Sequence, residues 1–344
     1  MSPRSNRTVS RVSRPKSKAQ SLKPASSPVL PRANEELMSQ SSAVVEALDS
    51  VELGSSQSFR NMTVFPLYAR TLREADYITL DEALAKEWVR ITEVGESGTV
   101  PELSLVNHGP SPVLLLDGEE LIGAKQNRVL NLTILVAAES KLVIPVSCVE
   151  SGRWRHVSRH FSAAPRTQFA EARAAKMRNV TASLMHSGTR RSNQGEVWQV
   201  IEERSARVGA ESDTHAMSAM FEKLEPAVDD FVRAFAPDAR QVGAIFAING
   251  RVAGLDLFDA PSTWRKLAPK LVRSYAVDAI DRSSASDEAH SDEARRFMAA
   301  VAASPTSEFG ATGLGTDVRA SAADVAAAAL IADGRAVHLS AFAN

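Results

Sequence analysis

The chain has 344 residues, 44% hydrophobic and 24% charged, with a formal net charge of −1, a composition that excludes a fibrous or globally disordered protein and leaves room for one large or two moderate cores. No apolar run approaches the roughly 18 residues that cross a bilayer, and the basic N-terminus lacks the apolar stretch of a secretory signal, so a cytoplasmic protein with no membrane partner is expected. The single cysteine, Cys148, excludes an intrachain disulfide and a cysteine-rich metal site, in keeping with a reducing compartment.

Residues 1–34 hold eight Lys or Arg and no acid, which leaves about −9 for the rest of the chain. Ser and Pro fill the same stretch, so it cannot bury enough apolar surface to offset its ordering entropy. Residues 1–55 therefore read as a disordered basic tail, and 56–344 as a single α+β domain. A nucleic-acid arm, a transit peptide, or a start codon placed upstream of Met38 or Met62 are the other readings of that tail. Within it, Asn34 to Leu53 has helical periodicity, with Asn34 as the cap. The folded body is expected to begin with a strand at Met62–Ala69, where Pro66 marks an edge or bulge, followed by a short helix capped by Thr79 with acids in its first turn.

Residues 60–151 read as β-rich; from Arg90 to Glu150 the apolar period is two, and the segments "VRITEV", "ELSLVN", "PVLLL", "VLNLTILV" and "KLVIPVSCVE" read as an antiparallel sheet. Asp117-Gly118 reads as a type I′ hairpin turn. Residues 161–236 carry apolar positions three and four apart and read as a helical insertion. Residues 241–344 return to α+β, with Asn249-Gly250 and Asp333-Gly334 as two-residue turns of C-terminal β-hairpins, and a polar linker "RSSASDEAHSDE" before a further helix. The fold class is thus α+β, with an antiparallel, sandwich-like β-sheet core, a helical insertion and C-terminal hairpins.

The stretch "DGEELIGAKQNRVLNLTILV" places polar residues between apolar runs, where a strand-rich segment has no cheap place for them. Pairing 128–136 with 142–150 around Ala137–Lys141 sets Leu130 opposite Cys148 and Arg128 opposite Glu150, so the apolar face of the hairpin ends in an ion pair. Directly after comes "ESGRWRHVSRH", and from Gly152 to Arg191 nine Lys or Arg face one acid. Arginine forks grip phosphate or carboxylate, and Trp154 offers a stacking face to a ring. Cys148 reads as core. His156 and His160 have helical spacing but no acid between them, so no metal site is expected. The Gly-rich "FGATGLGTDVR" fits neither phosphate-loop pattern. His338 and Ser340 fall on the opposite strand face from Val337 and Leu339, so His338 either faces solvent or lines a cleft, with a surface histidine the preferred reading.

"DGEELIGAKQNRVLN", "PVSCVESGRW", "VGAIFAINGRVAGLDLF" and "GLGTDVR…DGRAVHLSAF" resemble the ARG-and-rhodanese-phosphatase-superfamily-associated protein domain of bacteria, in which ARG abbreviates ADP-ribosylglycohydrolase. The resemblance spans most of Met62 to Phe342. It implies an association with ADP-ribose chemistry through gene neighbours and no established reaction.

The functional expectation is an enzyme or enzyme-like domain that binds a nucleotide-derived or phosphorylated small molecule. Glu119, Glu120 and Glu150 are the acid/base candidates. Lys125, Gln126, Asn127, Arg128, Arg153, Trp154 and Arg155 are the ligand-binding candidates. A non-catalytic ligand-sensing or protein-interaction module uses the same charges as register locks, and nucleic-acid binding through the tail is the weaker alternative. No cofactor and no oligomeric state follow from the residues.

Overall fold

A computed structural model describes residues 43–95, 99–283 and 289–344. A helix over residues 43–49 (α1) leads into the strands β1 (Val51–Leu53), β2 (Gln57–Phe59), β3 (Met62–Ala69) and β4 (Ile78–Thr79). Helix α2 (Leu80–Ala85) precedes β5 (Val89–Glu93), β6 (Glu102–Asn107), β7 (Val113–Leu115), β8 (Glu119–Gly123), β9 (Arg128–Leu130), β10 (Ile134–Val136), β11 (Ser140–Cys148) and β12 (Phe161–Thr167). Three helices follow, α3 (Ala170–Ser187), α4 (Gln194–Val208) and α5 (Met217–Ala234), and then the hairpin β13 (Gln241–Ile248) and β14 (Arg251–Phe258). The chain ends with α6 (Pro261–Asp281), α7 (Ser291–Ala303), β15 (Thr306–Gly310), β16 (Thr316–Ala322), β17 (Val325–Ala332) and β18 (Arg335–Ala343).

These strands form three sheets. The largest has the order β1-β3-β13-β14-β18-β17-β16-β15, with β2 also on β3; a second runs β10-β7-β4 and a third β12-β8-β9-β11-β6-β5. All described pairs are antiparallel except β4 with β7. The fold is therefore mixed α+β, and the C-terminal strands complete the large sheet. The "VGAIFAI" run of β13 is buried at every position, as its continuous apolar pattern requires of a central strand covered on both faces. Helix α6 starts with Pro261 in its first turn and is buried around most of its circumference, because it packs against β13 of the large sheet and β12 of the smaller one. The opposite face of the large sheet is covered by α1 and α7 through Val44, Leu48, Phe297 and Val301. A third cluster, around Leu105, Leu115, Leu130 and Ile144, fills the smaller β region.

Several sequence-based expectations match this structure. The strand at Met62–Ala69 and the Thr79 cap are present, the latter as a capping box with Glu82. Both C-terminal hairpins have the expected turns, with positive φ at Asn249 (50°), Gly250 (75°), Asp333 (48°) and Gly334 (73°). The two hairpins lie side by side, joined through β14 and β18.

Others are corrected. Ordered structure reaches back at least to residue 43, since Val44, Leu48 and Val51 are core residues, so the stretch assigned to the tail up to residue 55 contains packed elements. Asn34 lies outside the described residues; the helix ends by residue 49 and 51–53 is a strand. Phe161–Thr167 is a strand, not the start of the helical insertion, as Pro165 disfavours a helix there.

Asp117-Gly118 does not close a hairpin. Only Gly118 has positive φ, at 78°, and the turn, in which the Glu119 amide donates to the Leu116 carbonyl at 3.1 Å, passes the chain from one sheet to another. The expected pairing of 128–136 with 142–150 is also replaced: β10 pairs with β7, the outer half of β11 pairs with β6, and β9 pairs with β11 so that Arg128 faces Cys148. That register differs by two residues from the expected one, which keeps every side chain on its expected face. The strand breaks after Leu130 because the Leu130 carbonyl is taken by the Gly118 amide (3.0 Å) and the Lys176 ammonium (2.6 Å).

Gly118 tests this crossing. Alanine there would hold a positive φ and bring its Cβ to 2.9 Å from the Arg173 side chain, whereas a Cβ at Gly310 meets nothing within 4 Å. Gly118→Ala is expected to lose about 1–3 kcal/mol and Gly310→Ala to stay within about 0.5 kcal/mol of the parent. Urea denaturation of both variants measures the contrast.

Candidate functional site

The turn from β8 to β9 is tight, with Gly123 at φ 133° and Ala124 at 42°, and the irregular segment after β11 folds over it. The Val157 amide (3.0 Å) and Arg153 Nη1 (2.9 Å) both donate to the Ala124 carbonyl. This docking sets most of the expected residues around Asn127. Asn127 donates through Nδ2 to Glu120 (3.3 Å) and through its backbone amide to Glu150 (3.1 Å), and its Oδ1 accepts from Arg153 (3.0 Å).

The two carboxyls that Asn127 bridges sit in opposing environments. Burial raises the Glu120 pKa, and the 2.5 Å pair with Arg166 only partly offsets it. Burial also acts on Glu150, but the 2.6 Å pair with Arg153, the Asn127 amide and the Thr214 hydroxyl (2.8 Å) outweigh it and hold its pKa below the ordinary value. The Cys148 thiol, raised by burial, donates toward the Gln126 carbonyl oxygen (3.1 Å) and the Glu150 backbone carbonyl (3.2 Å) and is core, as expected.

Arg128 departs from this pattern of satisfied charges, as does Glu93, whose buried Oε2 has no donor among the described residues. The Arg128 side chain is fully buried, and Nη1 donates to Gln126 (2.9 Å) and to the Asn127 carbonyl (3.5 Å), while Nε and Nη2 have no acceptor among the described residues. The expected Arg128–Glu150 ion pair is not formed, because Glu150 lies beyond the end of β11 and turns to Arg153. Burial lowers the Arg128 pKa from its usual value. Its guanidinium lies 5.7 Å from the centre of the Trp154 ring, and Lys125 Nζ lies 5.3 Å from the same ring. Trp154 is 49% exposed and so forms the outer cover of both cations.

Two expected residues fall outside this cluster. Glu119 points the other way along β8, to Lys270 (2.5 Å), which also binds Asp81 (2.7 Å). Arg155 has an exposed side chain and contributes only its carbonyl, which accepts from Arg153 (3.2 Å).

A second constellation went unread in the sequence. Arg173 of α3, fully buried, binds both oxygens of Asp256 on β14 (3.1 and 2.8 Å), Asp117 (3.3 Å) and Ser340 (3.3 Å). Lys176, one turn further, binds Asp117 at 2.9 Å. Tyr275 donates to Asp256 (3.2 Å), and His338 lies 3.2 Å from Asp256 by Nε2 and 2.7 Å from the Thr133 hydroxyl by Nδ1. His338 is thus buried and lines a cavity, which corrects the preferred surface reading in favour of the cleft reading: the face that parity assigned to it is covered by α3 and the Thr133 turn. Burial would raise the Asp256 pKa, but Arg173 and His338 bring it down to about 2. The available signal was an acid in the buried "GLDLF" strand, a residue type almost never buried without a partner. Beside this network lies a cavity of about 20 Å³, enough for one water-sized group, lined by Asn131, Thr133, Asp317, Arg319, His338 and Ser340 among others.

Among the described residues, no group of three His, Cys, Asp or Glu side chains is placed to hold a metal ion, and no helix is long and apolar enough to cross a membrane. The fold and its polar interior define an α+β domain of three sheets, with a charge-lined site between the β8–β9 turn and the segment that follows β11. The chain belongs to the family of ARG and Rhodanese-Phosphatase-superfamily-associated Protein domains, whose family model matches residues 50–342. No curated protein and no solved structure matches it.

Asp256 carries a pH prediction. Its folded pKa is depressed, so the unfolded chain binds the proton first as pH falls. The stability it contributes should be complete above about pH 4 and lost as pH falls towards about 2. Asp256→Asn should cost about 3–5 kcal/mol at neutral pH and flatten this acid limb, as read from urea midpoints across pH 2–7.

Proposed function

We propose that this domain binds a phosphorylated, ring-bearing small molecule at Arg128, Lys125 and Trp154, and acts on it as an enzyme or enzyme-like domain. The observation that carries the reading is the buried Arg128 guanidinium with two nitrogens unpartnered. Such a group is costly in a folded protein, and a phosphate oxygen pair is the chemistry its fork fits. Trp154 supplies the stacking face, and displacing its indole would open both cations to the ligand. The family's association with ADP-ribose chemistry makes nucleotide-derived ligands the first class to test.

Glu120 and Glu150, pushed in opposite directions on either side of Asn127, have the pattern of an acid/base pair. One observation favours the alternative, a ligand sensor: Glu120 is wholly buried behind Arg166. Turnover of a bound ligand separates the two. A bacterial, cytoplasmic setting belongs to the same reading, supported by the family resemblance and by a lone thiol suited to a reducing compartment.

The test is a thermal-shift and calorimetric titration with ADP-ribose, AMP, ribose 5-phosphate and inorganic phosphate. At least one phosphorylated ligand should raise the midpoint, by mass action on the native state. Arg128→Met should leave folding stability unchanged or higher while removing that response. Arg153→Ala, which strands Glu150, should instead cost about 3–5 kcal/mol. A loss of stability in Arg128→Met, together with no response to any ligand in the parent, makes the charges architectural and defeats the proposal.

A further inference from the structure

Thr133, His338 and Asp256 form a chain with a defined proton order. Asp256 is ionised and held on both oxygens by Arg173, with Tyr275 as a third donor, so it can only accept from His338. Nε2 of His338 therefore carries a proton, and in the neutral ring Nδ1 presents a lone pair. That lone pair lies 2.7 Å from Thr133 Oγ1, so the hydroxyl, which also accepts the Asp117 amide at 3.1 Å, donates its own proton to Nδ1. The ring is fixed by stacking on Phe258, with centroids 4.5 Å apart. Asp256 and His338 are buried, whereas Thr133 is half-buried, at the outer end of the chain on the turn between β9 and β10. The small cavity opens beside it, with Asn131 and Arg319 in its wall.

A lock between sheets needs buried partners in good geometry. It does not need a hydroxyl aimed at the free nitrogen of an oriented imidazole, at the accessible end, next to a cavity. Hydroxyl, base and orienting carboxylate in that order are the elements of an activated nucleophile.

We propose that Thr133 is the nucleophile of an acyl-transfer centre, with His338 as its general base and Asp256 as the positioning residue. The substrate class is an ester of a small acyl group, formyl or acetyl, because the cavity admits only a methyl-sized group. Thr133 Oγ1 bonds to the carbonyl carbon as its proton passes to His338 Nδ1. The carbon–oxygen bond to the alcohol then breaks, and the alcohol leaves with that proton. Water adds to the acyl-threonine and gives a proton to His338, which returns it to Thr133 Oγ1 as the carboxylic acid departs. Arg319 also lines the cavity, held on both oxygens by Asp317 (2.7 and 2.9 Å). This centre is independent of the Arg128 site.

The probe is 4-nitrophenyl acetate with the full chain, read by nitrophenolate release and by peptide mass spectrometry. The parent should show an initial burst and an acetyl group on Thr133. Thr133→Val should remove both, and Thr133→Ser should keep them. His338→Gln should slow acylation by about a hundredfold, with circular dichroism confirming its fold. Absence of acetyl on Thr133 in the parent overturns the proposal, as does release that survives Thr133→Val or a rate unchanged in folded His338→Gln. Should His338→Gln fail to fold, the adduct position in the parent and the behaviour of Thr133→Val decide the matter.

Discussion

The grip of Arg173 on Asp256 joins the parts of the fold. Asp256 sits on a central strand of the large sheet, Arg173 comes from the first helix of the insertion, and Asp117, which the same guanidinium reaches, belongs to the turn between the two smaller sheets. Three regions far apart in sequence thus meet on one planar fork, a geometry that a lysine could not reproduce. The burial of these charges is tolerable because each is multiply bonded: Asp256 receives Arg173, Tyr275 and His338, and Asp117 receives Arg173 and Lys176. Lys176 adds a bond to the Leu130 carbonyl, and that bond ends β9 and frees the next residues to form the Thr133 turn.

Arg128 shows the opposite case. It is as buried as Arg173, yet only one of its guanidinium nitrogens is bonded. Of the nearby acids, Glu150 is committed to Arg153 and Thr214 and Glu120 to Arg166 and Asn127, while Glu93 accepts the Lys125 amide and acts on Arg128 through its charge alone. A fold that satisfies its central charges so fully and leaves this one open has a local conflict of the kind that concentrates at working sites.

Both proposed sites hang from one short piece of chain. Residues 125–128 enter β9 with the Arg128 site, and 131–133 leave it with the Thr133 turn. The Gly-rich stretch before β16 closes over the adjoining strand, where Leu314 donates to the Leu135 carbonyl at 2.7 Å and a Cβ on Gly313 would lie 2.2 Å from the same oxygen. Its glycine is therefore a matter of close backbone packing between sheets, with no phosphate pattern required.

The sequence by itself determined what depends on neighbours along the chain. Asn-Gly and Asp-Gly pairs set the two C-terminal hairpins because positive φ is a local cost, Thr79 with Glu82 set a helix start, and period two fixed the faces of β9 and β11. It also marked residues 119–128 as polar groups with nowhere cheap to go, and seven of its candidates, Glu120, Lys125, Gln126, Asn127, Arg128, Glu150 and Arg153, are buried around one turn. Only the tertiary structure decided partners. Parity survives a shift of two residues and pairing does not, so Arg128 lost Glu150 while keeping its face. Glu119 and Glu120 are adjacent in sequence and diverge to different cations because strand neighbours point apart. His338, Asp256 and Arg173 carry no local signal of their union, since the bonds between them span 82 and 83 residues: the first exists only once β14 and β18 have paired, the second only once α3 has packed onto the sheet.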